Sequence, residues 1–483
     1  MAFSKTPAVS TYASKTIKLI NTWESRDKNA NKDNEILNCF YEFVVDKSTG
    51  DSDHYVVKRD GITAYAYTCP STNIRGIFYW EDQNKLFVAY DNDIDVITAS
   101  TGATITTLSN KFTTSSGEVG FTEFYYDDTS VKVVVSDGTT LATIDTANNF
   151  VASVDADLPT PHLPYPVFLD GYIFIAKTNT TDIYNSDLNA PLAFTAGNFI
   201  SAEREADKIV RIAKLNNYIV AFGSSSIEIF WDAANLTSPL QTYDTPIKYV
   251  GFLGGLARYE NKLYFIGNAG TSIPSVYVLE DLKITELSDP VLRRYLQDKT
   301  SFKGSYVSCG GHDFYVLVTG TLTYWYDMEI KKWYRIAFKA QTDFPIQDAV
   351  SIPHATLGNI SLFYLSGVAA LHVINPAVYQ DAGTNFTCRL VTNKEMFDTL
   401  NRKTVAKLIV HADRPSSSAN LSISISDDDF QSFGTARTVD LNQSWPMLPR
   451  WGQFRSRAHK LELIANVPMR LYELELEINM GQS

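Results

Sequence analysis

The chain is short of the features that usually announce chemistry. Only four of its 483 residues are cysteine, and Cys39, Cys69, Cys309 and Cys388 stand far apart with no CxxC pair. That spacing offers neither a zinc site nor a disulfide framework. Four reduced, buried thiols are expected instead. The seven histidines (His54, His162, His312, His354, His372, His411 and His459) are equally isolated, without ligand spacing. No Gly-rich phosphate loop, zinc-protease helix, kinase signature or nucleophile elbow occurs. No apolar run approaches the roughly eighteen residues of a membrane-crossing helix. The opening stretch, MAFSKTPAVSTYASKTIKLINTWES, lacks the apolar centre of a secretory signal.

Positive charge is also scarce. Lys and Arg number 42 against 54 Asp and Glu, a formal charge of −12. A dedicated nucleic-acid binder needs clustered cations for phosphates, so the balance argues against that class, and anionic membranes and acidic partners are disfavoured for the same reason. One local exception is Arg450, Arg455, Arg457, His459 and Lys460 in RWGQFRSRAHKLEL. It reads as a solvated strand face, with a docking surface for an acidic partner as the functional alternative.

Four further stretches invite a chemical reading and do not sustain one. Gly223-Ser224-Ser225-Ser226 resembles a serine site but closes a hairpin, and neither base nor orienting acid follows from the sequence. Asp91, Asp93 and Asp95 alternate as in a calcium loop but lack its turn glycine and distal Glu, so blade-turn acids are expected. Asp427-Asp428-Asp429 reads as a solvated turn. Trp325 and Trp333 read as packing aromatics before a sugar platform. No catalytic, cofactor-binding or metal-ligating residue is assigned, and no enzymatic activity or cofactor is expected.

What the sequence does have is strands. Aromatic residues make up 13% of the chain, with 27 Tyr and 27 Phe, which suits sheets better than helices. In NNYIVAFGSSSIEIFWD, Tyr218–Phe222 and the alternating run Ile227–Trp231 flank a tight Gly/Ser turn, the pattern of a β-hairpin. The same pattern recurs with first strands at 86–90, 131–135, 172–176, 218–222, 263–267, 314–318 and 362–366. The starts lie 41 to 51 residues apart, a propeller-blade period. Additional strands before and after most hairpins bring each unit to four. Small sheets bury both faces only when stacked between neighbours. The expectation is an all-β fold: a β-propeller of about seven four-stranded blades, followed by a small antiparallel β-sandwich domain. Residues 1–34 read as a polar N-terminal arm or linker, 35–383 as the propeller with repeats beginning after Pro70, and 384–483 as the sandwich. The last stretch ends in the alternating strand MRLYELELEI.

Several motifs carry a family resemblance. Leu37-Asn38-Cys39-Phe40-Tyr41-Glu42, followed by Tyr55 and Lys58-Arg59-Asp60-Gly61, is similar to an opening of the form N-C-Y-x-E … Y-x-x-K-R-x-G, with Asp60 where Pro is frequent. Asp182–Asn189 resembles a YxSDLN segment. Ala221-Phe222-Gly223-Ser224 with Ile227–Trp231 resembles an LFGS-x-x-IE-x-W element. Gln453–Ala458 and Arg470–Glu475 resemble closing strands of the same proteins. These are the tail hub, or nozzle, proteins of short-tailed bacteriophages, also known as packaged-DNA stabilisation proteins.

The resemblance implies a virion protein, made in the host bacterial cytoplasm, that forms a homohexameric ring below the portal and its adaptor or head-to-tail connector. The ring would extend the DNA channel, help retain the genome and support its ejection. A needle, plug, tail fibre or tailspike would meet its distal end. DNA would pass without sequence-specific binding and no membrane insertion is implied. The alternatives from the residues alone are a carbohydrate-binding or glycan-active propeller, which needs a placed carboxylate pair, and a cytoplasmic scaffold propeller.

Overall fold

The computed structural model describes residues 12–19, 35–45, 52–126, 131–235, 238–244, 248–270 and 273–481. They form two compact units, one built from residues 1–62, 332–342 and 376–483, the other from 63–331 and 343–375.

The second unit is a seven-bladed propeller. Its sheets begin with the strands Ile74–Trp80, Gly120–Phe124, Val167–Leu169, Ile209–Leu215, Gly251–Tyr259, Lys303–Cys309 and Ile346–His354, and residues on or next to each of them line a central cavity. In the first five blades three further antiparallel strands follow in chain order. The hairpin Tyr218–Gly223 with Ile227–Asp232 is the middle of the fourth blade, paired Tyr218↔Trp231 through Phe222↔Ile227. Blade six contributes Lys303–Cys309, His312–Val318 and Thr323–Asp327 to this unit. Blade seven takes Ile346–His354, Gly358–Leu365 and Ala370–Asn375, and its outermost strand is Gly61–Thr68 from far upstream. The repeats therefore begin before Pro70. The early strand fastens the last blade, so the ring closes by sheet pairing.

Apolar side chains between blades hold the ring. Ile77, Leu86 and Val88 of blade one share a buried cluster with Ile352, Leu362 and Val373 of blade seven. Comparable clusters join blades one and two, two and three, three and four, and four and five. Blades five and six meet through the stacked rings of Tyr264 and Tyr315, 5.5 Å apart. Blades six and seven meet through Trp325, Phe344 and Phe363, at 6.0 and 5.5 Å. Each buried Val, Leu, Ile or Phe contributes roughly 1.5–3 kcal/mol. The innermost strands approach so closely that a Cβ on Gly304 would lie 2.0 Å from the Gly255 carbonyl oxygen.

The first unit is a two-sheet sandwich. One sheet runs in the order Cys39–Val45, Ser52–Lys58, Arg470–Met480, Lys403–Ala412, Met447–Phe454, and Ala13–Lys18 pairs along Arg470–Met480 from Ala13↔Ile478 to Lys18↔Glu473. The other runs Lys332–Ile336, Ile36–Leu37, Cys388–Val391, Ala458–Leu463, Asn420–Ser426, Arg437–Asp440, with the first pair parallel. The sheets meet at Trp451 stacked on His459, ring centres 6.2 Å apart, and at Tyr41 edge-on to Tyr334, 5.9 Å apart. The sequence reading gives 1–34 no core of its own and puts Ile36–Gly61 with the propeller. In the structure Ala13–Lys18 is a strand with Ile17 buried, and the hairpin Cys39–Val45/Ser52–Lys58 joins the C-terminal strand Arg470–Met480. The rest of the arm lies outside the described residues. Among the described residues no helix is long and apolar enough to cross a membrane.

Candidate functional site

A cavity of about 570 Å³ lies at the centre of the propeller, lined by residues on or next to the inner strands of all seven blades. Charged side chains enter it near the beginnings of the inner strands: Arg75 from blade one, Glu118 from blade two, Arg211 from blade four, Lys303 from blade six and Asp348 from blade seven. Glu118 is the hub. Its carboxylate accepts a hydrogen bond from Lys303 Nζ on blade six, so the pair spans the channel. The Tyr165 hydroxyl donates to it at 2.7 Å, and Arg211 stands 3.9 Å away with its guanidinium 4.0 Å from the Tyr165 ring centre. Burial opposes the Glu118 charge, but Lys303 and Arg211 outweigh it and hold the carboxyl below its ordinary value.

The other charges differ in how far they are satisfied. Arg75 spends its guanidinium on the carbonyls of Asp91, Thr114, Ser116 and Gly117 and on the Thr114 hydroxyl, at 2.5–2.9 Å. Asp348 accepts only the Ala349 amide among the described hydrogen bonds, at 2.8 Å. Although it keeps some surface toward the channel, protein surrounds it, and burial pushes its carboxyl up to about 7. Further along the axis stand Lys214 and Arg258, from adjacent blades. Lys214 Nζ lies 5.5 Å from the Phe168 ring centre and Arg258 Nε reaches only the Glu260 carbonyl, at 3.4 Å. Among the described residues neither forms an ion pair within 4 Å. Burial holds both below their ordinary values, and for Lys214 the neighbouring Arg258 charge adds to it.

The sequence pattern does not single out this channel. Its seven charges come from six blades and are scattered over some 270 positions, and the one available signal is a charged residue near the start of several otherwise apolar first strands. The stretches that were singled out sit elsewhere. Asp95 is buried and accepts the hydroxyls of Tyr67 (2.5 Å), Thr107 (2.6 Å) and Tyr90 (3.2 Å), while Asp93 accepts the Asn110 amide and Asp91 the Asn73 side chain. No group of three or more His, Cys, Asp or Glu among the described residues could hold a metal. Ser225 and Ser226 give their amides, and Ser226 its hydroxyl, to the Asp207 carboxylate at 2.7–3.0 Å. That carboxylate leaves no room for a Cβ on Gly223. Trp325 and Trp333 are buried.

The basic stretch near the C-terminus is only partly a surface: Arg450 and Arg455 are exposed and Lys460 is half-buried, but the other two residues are not solvated. Arg457 is buried and grips Asp427 with two bonds of 2.7 Å, and His459 is fully enclosed. Asp428 accepts from Ser426 and Ser432, and Asp429 pairs with Lys394 at 2.7 Å. Asp427-Asp428-Asp429 is thus a tied-down turn whose first acid neutralises the core arginine.

The N-terminal motif is likewise a structural knot. Arg59 donates to both Asp381 oxygens at 2.9 and 2.6 Å, to Asn38 Oδ1 at 3.1 Å and to the Ala337 carbonyl at 3.0 Å, over the face of Phe386. Lys58 donates to the Tyr379 and Ala465 carbonyls, and burial lowers its ammonium to about 8.

Compared with known protein families, residues 40–337 match the family described as Bacteriophage P22 Gp10, β-propeller. The chain belongs to this family. It is a bacteriophage structural propeller, as the resemblance of its motifs implies. No curated protein matches the phage chain in sequence. Among solved structures the similarity is low. A streptogramin B lyase has TM-score 0.45 and 10% identity, covering 66% of this chain and 98% of its own. The virginiamycin B lyase of Staphylococcus aureus has TM-score 0.44 and 11% identity over 65% and 98% of the two chains. BamB of Moraxella catarrhalis has TM-score 0.39 and 12% identity over 75% and 99%.

Proposed function

We propose that this P22 Gp10-family propeller is a non-enzymatic component of a short-tailed phage tail. Six copies form a closed ring below the portal and adaptor, extend the DNA channel, help retain the genome and support its ejection. The family match over residues 40–337 carries this reading. Contact with a connector above, and with a needle, plug, fibre or tailspike below, is part of the proposal, as is synthesis in the host cytoplasm.

Two features support a lumen built between copies. The axial cavity of a single propeller is crossed by Lys303 and Glu118, which leaves no passage for a duplex. The chain also carries a net −12, while its own channel gathers Arg75, Arg211, Lys214, Arg258 and Lys303 against Glu118 and Asp348. The acidic excess therefore lies outside that channel. Acidic walls let a polyanion slide where basic walls would hold it. A ring of this kind closes by heterologous contacts between neighbours, and an obligate one buries about 2,000 Å² or more at each contact. We assign subunit and tip contacts to the sandwich unit. Cryo-electron microscopy of the purified chain on its adaptor tests the proposal: a six-fold ring around an acidic lumen supports it, and a basic lumen or a chain that joins no tail overturns it.

A further inference from the structure

The propeller channel holds two cations that the fold leaves without a carboxylate. Lys214 lies three residues after Arg211 on the inner strand of blade four, about 10 Å further along the axis at ~3.3 Å per residue. Arg258 occupies the matching end of the inner strand of blade five. Arg211 and Lys303 are already engaged by Glu118, and Arg75 is consumed by backbone carbonyls. Lys214 and Arg258 are left lining one cavity from adjacent blades. Asp170 and Glu260 are near them but form no ion pair within 4 Å among the described residues.

Lys214 is half-buried and Arg258 exposed, and the Arg258 charge acts against that of Lys214 in the empty chain. A local violation of this kind marks a place where something else supplies the compensating charge. The whole cavity, which the Glu118–Lys303 pair crosses, measures about 570 Å³, within the size range of small-molecule sites. Phe168, Leu256 and Leu263 line the same cavity, so the cations have apolar neighbours there.

We infer that the propeller channel is an oxyanion-binding site, in which Lys214 and Arg258 hold a phosphate or carboxylate group. The Arg258 guanidinium offers a planar fork to two oxygens and the Lys214 ammonium a point charge beside it. The Glu118–Lys303 pair closes the cavity further along the axis, so the ligand reaches the cations from the Lys214 and Arg258 side. The site belongs to one propeller and does not depend on the ring proposed above.

The test uses the full chain with inorganic phosphate and, separately, citrate, against chloride at equal ionic strength. Thermal unfolding is followed for the wild type, for Lys214→Met with Arg258→Met, and for Lys283→Met, which alters an exposed lysine outside the channel. Saturable stabilisation of a few degrees in the wild type and in the Lys283 variant, absent in the double variant, is the expected result. A response to phosphate alone assigns the site to phosphate groups, and one to citrate alone assigns it to carboxylates such as an acidic side chain would bring. An equal response in all three proteins shows a general salt effect and overturns the inference. Should the double variant not fold, amine acetylation of the wild type read by mass spectrometry decides. Phosphate or citrate must slow modification of Lys214 and spare Lys283, and equal rates with and without the anions overturn the site.

Discussion

Arg59 and Asp381 are joined by two hydrogen bonds of 2.9 and 2.6 Å, and their side chains are 1% and 0% exposed. Charges buried so completely persist only because each satisfies the other, and Asp381 also accepts the Lys339 amide at 2.8 Å. Asp381→Ala leaves a buried guanidinium without its partner. It should cost about 3–5 kcal/mol in the sandwich unit, measured by urea unfolding. Arg59→Met should cost a similar amount by stranding the carboxylate.

The fastening of blade seven gives a second prediction. Tyr67, on the strand Gly61–Thr68, donates its hydroxyl to buried Asp95 of blade one at 2.5 Å. Tyr67→Phe keeps the ring and removes one donor from a buried carboxylate. The propeller should lose ~1–3 kcal/mol, with hydrogen exchange rising first in strand 61–68.

Gly304 supplies a third. A Cβ there meets the backbone of Gly255 at 2.0–2.9 Å, and backbone does not yield as a flexible side chain would. Gly304→Ala should push apart the inner strands of blades five and six and cost roughly 1–3 kcal/mol. A thermal melt indistinguishable from wild type would show that the strands are not so tightly packed.

Acid should act on the two units in opposite directions. Burial raises Asp348 in the channel to about 7, so the folded propeller binds its proton more tightly than the unfolded chain does. Its contribution is present in full below the ordinary aspartate range and is lost as the pH rises through about 7. The groups around it are Glu118, Arg211, Lys303 and Tyr364. Asp348→Asn should flatten that decline and stabilise the propeller at pH 8 by ~1–3 kcal/mol.

In the sandwich, burial first and the Arg457 charge second lower His459 to about 3, and its Nε2 accepts the Trp451 indole N–H at 3.2 Å. The imidazole is neutral when folded, so its contribution is present above the ordinary histidine range and is lost as the pH falls below about 6.5. Melts resolved by unit between pH 8 and 5 check both signs.

Local pattern carried the propeller well. The strand Tyr172–Ala176 and the partner strand Ile227–Asp232 fall on the residues where alternation and turn chemistry place them, because each hairpin is made by neighbours in the chain. The pairing of Ala13–Lys18 with Arg470–Met480 joins opposite ends of the chain, and no local signal names the partner. Gly61–Thr68 was missed as a blade strand for the same reason. Arg457 and His459 looked like surface because composition does not report that Asp427 and Trp451 would enclose them. Lys214 and Arg258 become neighbours only when blades four and five are stacked.

Whether this chain works as a ring is decided by its native mass. The purified chain, alone and mixed with the adaptor and other tail components, is weighed by mass photometry or sedimentation velocity. Six copies in a closed assembly, formed spontaneously or on the adaptor, are the expected result. A 54.0 kDa monomer that persists in every mixture would contradict it.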